Sequence, residues 1–235
     1  MTVDDVEQEE VAPTRGVTAT RAVVVTVAVL AVLLLGAAIG LLIKLPGADN
    51  SSTPTRDSVD VGFTQDMSAH HLQGVQMANI ARDRTADPAI EQLAFDISST
   101  QLEQVGRMKG WLFLWGYPEQ SPDGKHMGWM SSSTHGHSGG GPGSGAADSG
   151  QMPGMAAPEE IAKLRTLSGV DFDVYFLQLM LRHHQGGAPM AEYAATHAGQ
   201  NVVRTLADNM LKSQTAESSY MQQLLTERGA APLPN

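Results

Sequence analysis

The sequence predicts an all-α protein in which one membrane-spanning helix precedes four helices made of two duplicated hairpins. Three observations predict it. From Ala22 to Ile43 no residue is charged, and these 43 − 22 + 1 = 22 positions give about 33 Å of helix at about 1.5 Å each, enough to cross a bilayer. The run Asp60-Val-Gly-Phe63-Thr-Gln65-Asp-Met67-Ser-Ala-His70-His71 returns as Asp173-Val-Tyr-Phe176-Leu-Gln178-Leu-Met180-Leu-Arg-His183-His184, at an offset of 173 − 60 = 113. Within each copy the apolar and histidine positions follow 3, 4 and 7 spacings, which fall on one helical face and exclude strand alternation.

The elements follow in order. Residues 1–21 read as a cytoplasmic tail and 22–43 as the span, because Arg15 and Arg21 precede it while nearby acids such as Asp4 and Glu7 count little in the positive-inside rule. A cleaved signal peptide is the competing reading, but its apolar region is usually about 7–15 residues long. Residues 44–57 then read as a tether, and the working domain, 58–235, lies outside the membrane.

The first hairpin is expected over 58–116. Its second helix opens at Asp87-Pro88, a cap residue followed by proline at the first helical position, and closes at Gly116. The same offset carries Gly74 to Gly187, Met77 to Met190, Gln101 to Gln214, Met108 to Met221 and Gly116 to Gly229 without insertion. The second hairpin, 158–235, therefore repeats the first, with a short helix beginning at Pro158 and a kink expected at Pro189. Residues 117–157, rich in glycine, serine and proline, read as a disordered His/Met/Gly-rich linker without a packed core.

Composition narrows the chemistry. The absence of cysteine excludes disulfide scaffolds, thiolate zinc sites, iron–sulfur clusters and cysteine nucleophiles. A net charge of −10 without a lysine/arginine cluster argues against a nucleic-acid partner. Twelve methionines and eight histidines point instead to nitrogen and thioether ligands. No phosphate loop, nucleophile elbow or zinc-protease helix is present, so no enzyme activity is expected.

The paired Met-x-x-His-His motifs, the Gln214-Thr-Ala-Glu217 step with Met221, and Met152-Pro-Gly-Met155 ahead of Ser168-Gly169 together resemble the bacterial family called domain of unknown function 305, over Asp60 to Gly229. The resemblance implies a ferritin-like four-helix bundle, and it implies copper, since the family includes periplasmic copper-binding proteins. One departure stands out: Gln104 occupies the place of the expected glutamate in the first copy.

Met67, His70, His71 and Met77 can converge with Met180, His183, His184 and Met190 in the bundle interior, where thioether plus imidazole suits copper, Cu(I) above all. The alternative is ordinary methionine core with one buried and one surface ring in each histidine pair. Gln101, Gln214 and Glu217 can orient ligand histidines, or pair with backbone or solvent instead. His126, Met127, Met130, His135, His137, Met152 and Met155 form a weaker auxiliary set that collects metal on the linker, or are incidental to it.

The expected function is thus a membrane-anchored, extracytoplasmic copper-binding protein for tolerance, storage or delivery. Two alternatives remain: a non-catalytic scaffold subunit of a membrane complex, and a di-iron oxidoreductase, against which the absence of any Glu-x-x-His motif counts. Gly36 and Gly40 have the spacing of a membrane helix contact, so a membrane-protein partner or a homo-oligomer is also an expectation.

Overall fold

The computed structural model describes residues 15–42, 53–130 and 151–233. Among these, six α-helices are present and no strand. The chain divides into two compact units, Met1–Ser51 and Ser52–Asn235.

In the first unit α1 (Arg15–Leu42) runs for 28 residues. It contains the expected span except for Ile43, which lies outside the described residues. Its side chains are described over 21–36 and are all exposed. Among the described residues no helix is long and apolar enough to cross a membrane; the stretch 21–36 is shorter than the about 20 apolar residues a span needs.

The second unit holds α2 (Val59–Arg84), α3 (Pro88–Trp115), the short α4 (Pro158–Thr166), α5 (Gly169–His197) and α6 (Asn201–Glu227). Local chemistry sets the boundaries. Ser58 caps α2 by accepting from Val61 N, Asp87 caps α3 by accepting from Ala89 N, and Gly116 ends α3 at φ 75°. Helix α6 has no side-chain cap of its own; Asp60, at the start of α2, accepts the N–H groups of Gly199 and Gln200 at 3.0 and 2.7 Å. The equivalent residue of the other copy, Asp173, accepts from Thr85 Oγ1 at 2.7 Å. Each hairpin thus ties down the other's turn.

Helix α2 packs on α3, α5 on α6, and the two hairpins meet through α2 and α5. The duplicated halves run antiparallel, so the beginning of α2 shares an apolar cluster with the end of α5: Phe63, Met67, Met108, Met190 and Met210. A second cluster joins the end of α2 to the beginning of α5 through Met77, Ile97, Phe172, Phe176, Met180 and Met221. The four histidines fall between them. Helix α5 continues through Pro189 without interruption.

The linker differs from expectation at both ends. Trp129 and Met152 are buried in the first cluster, and the carboxylate of Asp66 accepts from Met127 N, Trp129 Nε1 and, on its other oxygen, His126 Nδ1, at 2.7, 2.8 and 2.8 Å. Composition suggested no core here, but one buried acceptor with three donors is enough to dock residues 126–129 on α2. Within 117–157, the stretch 131–150, with His135 and His137, lies outside the described residues.

Candidate metal centre

Between the two apolar clusters lies a layer of four imidazoles, His70, His71, His183 and His184, each at most 1% exposed. The rings of His70 and His183 stack with centroids 3.8 Å apart, and His71 and His184 flank them at 6.4 and 6.2 Å from their chain neighbours. The row is continuous across both hairpins. The alternative of one buried and one surface ring in each pair is therefore not what the fold adopts.

In every ring Nε2 is committed to an acceptor. His70 Nε2 donates to the carbonyl of Pro153 at 3.1 Å, His183 Nε2 to the carbonyl of His70 at 2.9 Å, His71 Nε2 to Gln104 Oε1 at 2.8 Å and His184 Nε2 to Glu217 Oε2 at 2.6 Å. Carbonyl and carboxylate oxygens only accept, so Nε2 carries a proton, and in a neutral ring the lone pair is then on Nδ1. The Nδ1 atoms of His70, His71 and His184 are buried without a partner. Burial lowers the pKa of His70 to about 4 and that of His71 to about 3, and holds His183 well below its ordinary value. These rings are neutral at pH 7.

Two glycines make the layer possible. A Cβ on Gly74 would lie 2.2 Å from Gln101 Oε1 and 3.0 Å from His183 Cε1; on Gly187 it would lie 3.0 Å from Gln214 Oε1 and 3.1 Å from His70 Cε1. Both amides are thus packed against the opposing histidines. Their polar atoms Gln101 Nε2, Gln101 Oε1 and Gln214 Oε1 are buried without a partner. Of the three residues that can orient the histidines, Glu217 accepts from His184, while the side-chain oxygens of Gln101 and Gln214 have no partner; the acceptor for His71 is Gln104. Sequence reasoning took Gln104 as a missing acid, although its offset from Glu217 already placed it in the same role.

The turn Met152-Pro153-Gly154-Met155 closes the layer. Gly154, at φ 77°, lies against α5 so closely that a Cβ would meet Arg182 O at 2.5 Å. Gln73 clamps the segment by donating to Ala156 O at 2.9 Å and accepting from Ala156 N at 2.6 Å. Arg182 and Glu160 form a two-pronged ion pair just beyond. The carbonyl of Pro153, a backbone group, left no signal in the sequence.

Met67, Met77, Met180 and Met190 are all fully buried, Met67 and Met190 on one side of the layer and Met77 and Met180 on the other. Among the described residues no three His, Cys, Asp or Glu side chains converge as a metal cluster. The donors on offer in and beside the layer are imidazole Nδ1 and thioether sulfur, a soft set. Of the described auxiliary residues, His126 and Met127 are held at Asp66, Met152 is buried, and Met130 and Met155 are half-buried.

The model of the family described as "Domain of unknown function (DUF305)" matches residues 60–225. Among solved structures, a DUF305 protein from Streptomyces coelicolor, described as secreted, is 42% identical at TM-score 0.67, covering 77% of this chain and 100% of that one. A DUF305 fragment from Deinococcus radiodurans is 29% identical at TM-score 0.57, over 72% and 96%. CopM in its Cu(II)-bound form is 26% identical at TM-score 0.54, over 72% and 96%, and it has also been solved in Cu(I)-bound and Ag-bound forms. No curated protein matches the chain.

Proposed function

We propose that this chain, which belongs to the DUF305 family, is a non-catalytic copper-binding protein that holds the ion in its buried imidazole layer. The observation that carries the reading is the commitment of every Nε2 to an acceptor, while the Nδ1 atoms of His70, His71 and His184 are buried without a partner. Leaving buried polar atoms unpaired costs about 1–3 kcal/mol each, and an ion that accepts those lone pairs removes the cost. Fully buried thioethers on both sides favour a soft ion, Cu(I) above zinc or calcium. The copper-bound forms of CopM, a protein of the same fold, support the choice.

His70 and His71 need lose no proton for binding, because burial keeps them neutral. His71 and His184 are oriented by Gln104 and Glu217, which fix the tautomer that exposes Nδ1. This division of labour suits storage, tolerance or delivery rather than turnover. Residues 22–43 would tether the domain to the membrane with its N-terminus inside, and the relative described as secreted agrees with an extracytoplasmic domain.

The test is an anaerobic Cu(I) competition titration of the full chain in detergent, with Zn(II) alongside and with a His71→Ala/His184→Ala variant. Copper-selective binding that weakens at least tenfold in the variant is the expected result. Equal zinc affinity, or affinity unchanged by the substitutions, overturns the reading.

A further inference from the structure

We propose a second, shallow site for a soft monovalent cation, Cu(I) with Ag(I) as its analogue, at the turn His126-Met127-Gly128-Trp129-Met130. Its donors are His126 Nε2 and the thioethers of Met127 and Met130. The site is separate from the imidazole layer and does not depend on the layer holding copper. The imidazole is the first observation. Its Nδ1 donates to Asp66 Oδ1 at 2.8 Å, and Asp66 is buried on α2. Among the described residues nothing bonds to Nε2, and the His126 side chain is 30% exposed. A carboxylate that binds the Nδ1–H fixes the tautomer and leaves the Nε2 lone pair free in the neutral ring, which is how proteins orient a histidine that ligates a metal.

The backbone is the second observation. Met127 has φ 66°, and among the described residues it is the only non-glycine with a positive φ. Left-handed backbone is unfavourable for any residue with a Cβ, and Gly128 stands one position too late to relieve it. The conformation is held because Met127 N donates to Asp66 Oδ2 at 2.7 Å. Docking of the segment uses that N–H together with Trp129 Nε1–H, and a glycine at 127 would supply the same N–H without the strain. A thioether kept at a strained position therefore points to a use for the side chain itself.

The turn then closes on itself. Met130 N donates to Met127 O at 3.2 Å, within the single 3-10 turn Gly128–Met130, so one imidazole and two thioethers are confined to a short, folded stretch. Met127 and Met130 are half-buried, open to solvent yet packed against the cluster that contains Met67 and Met190. Asp66 is occupied by its hydrogen bonds to the turn and serves to orient, which leaves a neutral nitrogen and sulfur donor set. Such a set suits a soft monovalent ion and offers little to zinc or calcium.

The test is long-range proton–nitrogen NMR on the full chain in detergent, with nitrogen-15-labelled histidine and tryptophan, titrated anaerobically with Cu(I) and separately with Ag(I) and Zn(II). The His126 Nε2 signal should shift with Cu(I) and Ag(I), while Trp129 Nε1–H, bonded to Asp66, keeps its place as the mark of a docked turn. Met127→Gly with Met130→Leu should weaken that response at least tenfold and leave the Trp129 signal where it was. A His126 signal that stays unshifted while ions bind elsewhere overturns the site. So does a shift that Zn(II) matches or that the two substitutions do not weaken, since either marks an ordinary surface histidine. If the double variant displaces the Trp129 signal, Met130→Leu alone decides, because it leaves the Asp66 contacts untouched, and an unchanged affinity there overturns the proposal. The His71→Ala/His184→Ala variant should keep the His126 response, so failure of the layer and failure of this site are read apart.

Discussion

Gln104 and Glu217 stand at the same position of the two copies and hold His71 and His184 in the same way, each accepting an Nε2–H from the histidine 33 residues before it, at 2.8 and 2.6 Å. An amide and a carboxylate are interchangeable here because the role is to accept, and both offer an oxygen. What differs is charge: the carboxylate can also stabilise an imidazolium, whereas the amide cannot.

Glu217→Gln should therefore fold normally and retain copper, since the acceptor survives. Glu217→Leu leaves the His184 Nε2–H buried without a partner and should destabilise the chain by about 1–3 kcal/mol. Urea unfolding of the two variants separates the cases. Equal stability would show that the contact does not hold the ring.

Acid should weaken the fold through the same histidines. The folded-state pKa of His70 is about 4 and that of His71 about 3, against an ordinary 6.5, so between these limits the unfolded chain binds protons that the native chain does not. Stability then falls as pH drops from about 6.5 toward 4, by up to about 1.4 kcal/mol per pH unit for each such histidine. Above pH 6.5 these groups contribute no slope. Urea midpoints between pH 8 and 4.5 check this, and a flat profile across pH 6.5–4.5 contradicts the buried, neutral rings.

The two glycines of the layer should not be equally tolerant. Alanine at 74 puts a Cβ 2.2 Å from Gln101 Oε1, whereas at 187 the nearest atom, Gln214 Oε1, is 3.0 Å away. Overpacking of this kind costs about 1–3 kcal/mol, so Gly74→Ala is expected at the upper end and Gly187→Ala at or below the lower. Thermal or urea unfolding of the pair reads the difference; the reverse order would mean that Gln101 moves aside freely.

Gln73→Ala removes two of the three hydrogen bonds that hold Ala156, leaving that from Gln151 Nε2, and loosens the clamp on the turn over His70. Because the imidazole layer is enclosed, uptake of Cu(I) should become faster while the equilibrium affinity changes little. Stopped-flow mixing measures the rate, and an unchanged rate would show that copper enters elsewhere.

The hairpins were legible in the sequence because a repeat without gaps, capped by Asp87-Pro88 and closed by Gly116 and Gly229, is a local pattern. The histidine pairs and their methionines were legible for the same reason, as residues on one helical face. The acceptors were only partly so. Glu217 is a side chain at a recognisable step, but Pro153 contributes its backbone, and nothing in the residue type announces that. The docked ends of the linker escaped notice because composition reports an average: glycine, serine and proline outnumber Trp129, yet that one ring and the buried carboxylate of Asp66 fix the segment. The antiparallel meeting of α2 and α5, which turns two motifs into one layer, depends on long-range packing that periodicity does not encode.

The decisive atom is the ring nitrogen that receives the metal. Long-range proton–nitrogen NMR on the full chain with nitrogen-15-labelled histidine, before and after anaerobic Cu(I) addition, observes that atom directly. The expected result is that the Nδ1 resonances of His70, His71 and His184 shift while their Nε2–H signals keep their hydrogen-bonded positions. Shifts confined to Nε2, or to the histidines outside the layer, would contradict it.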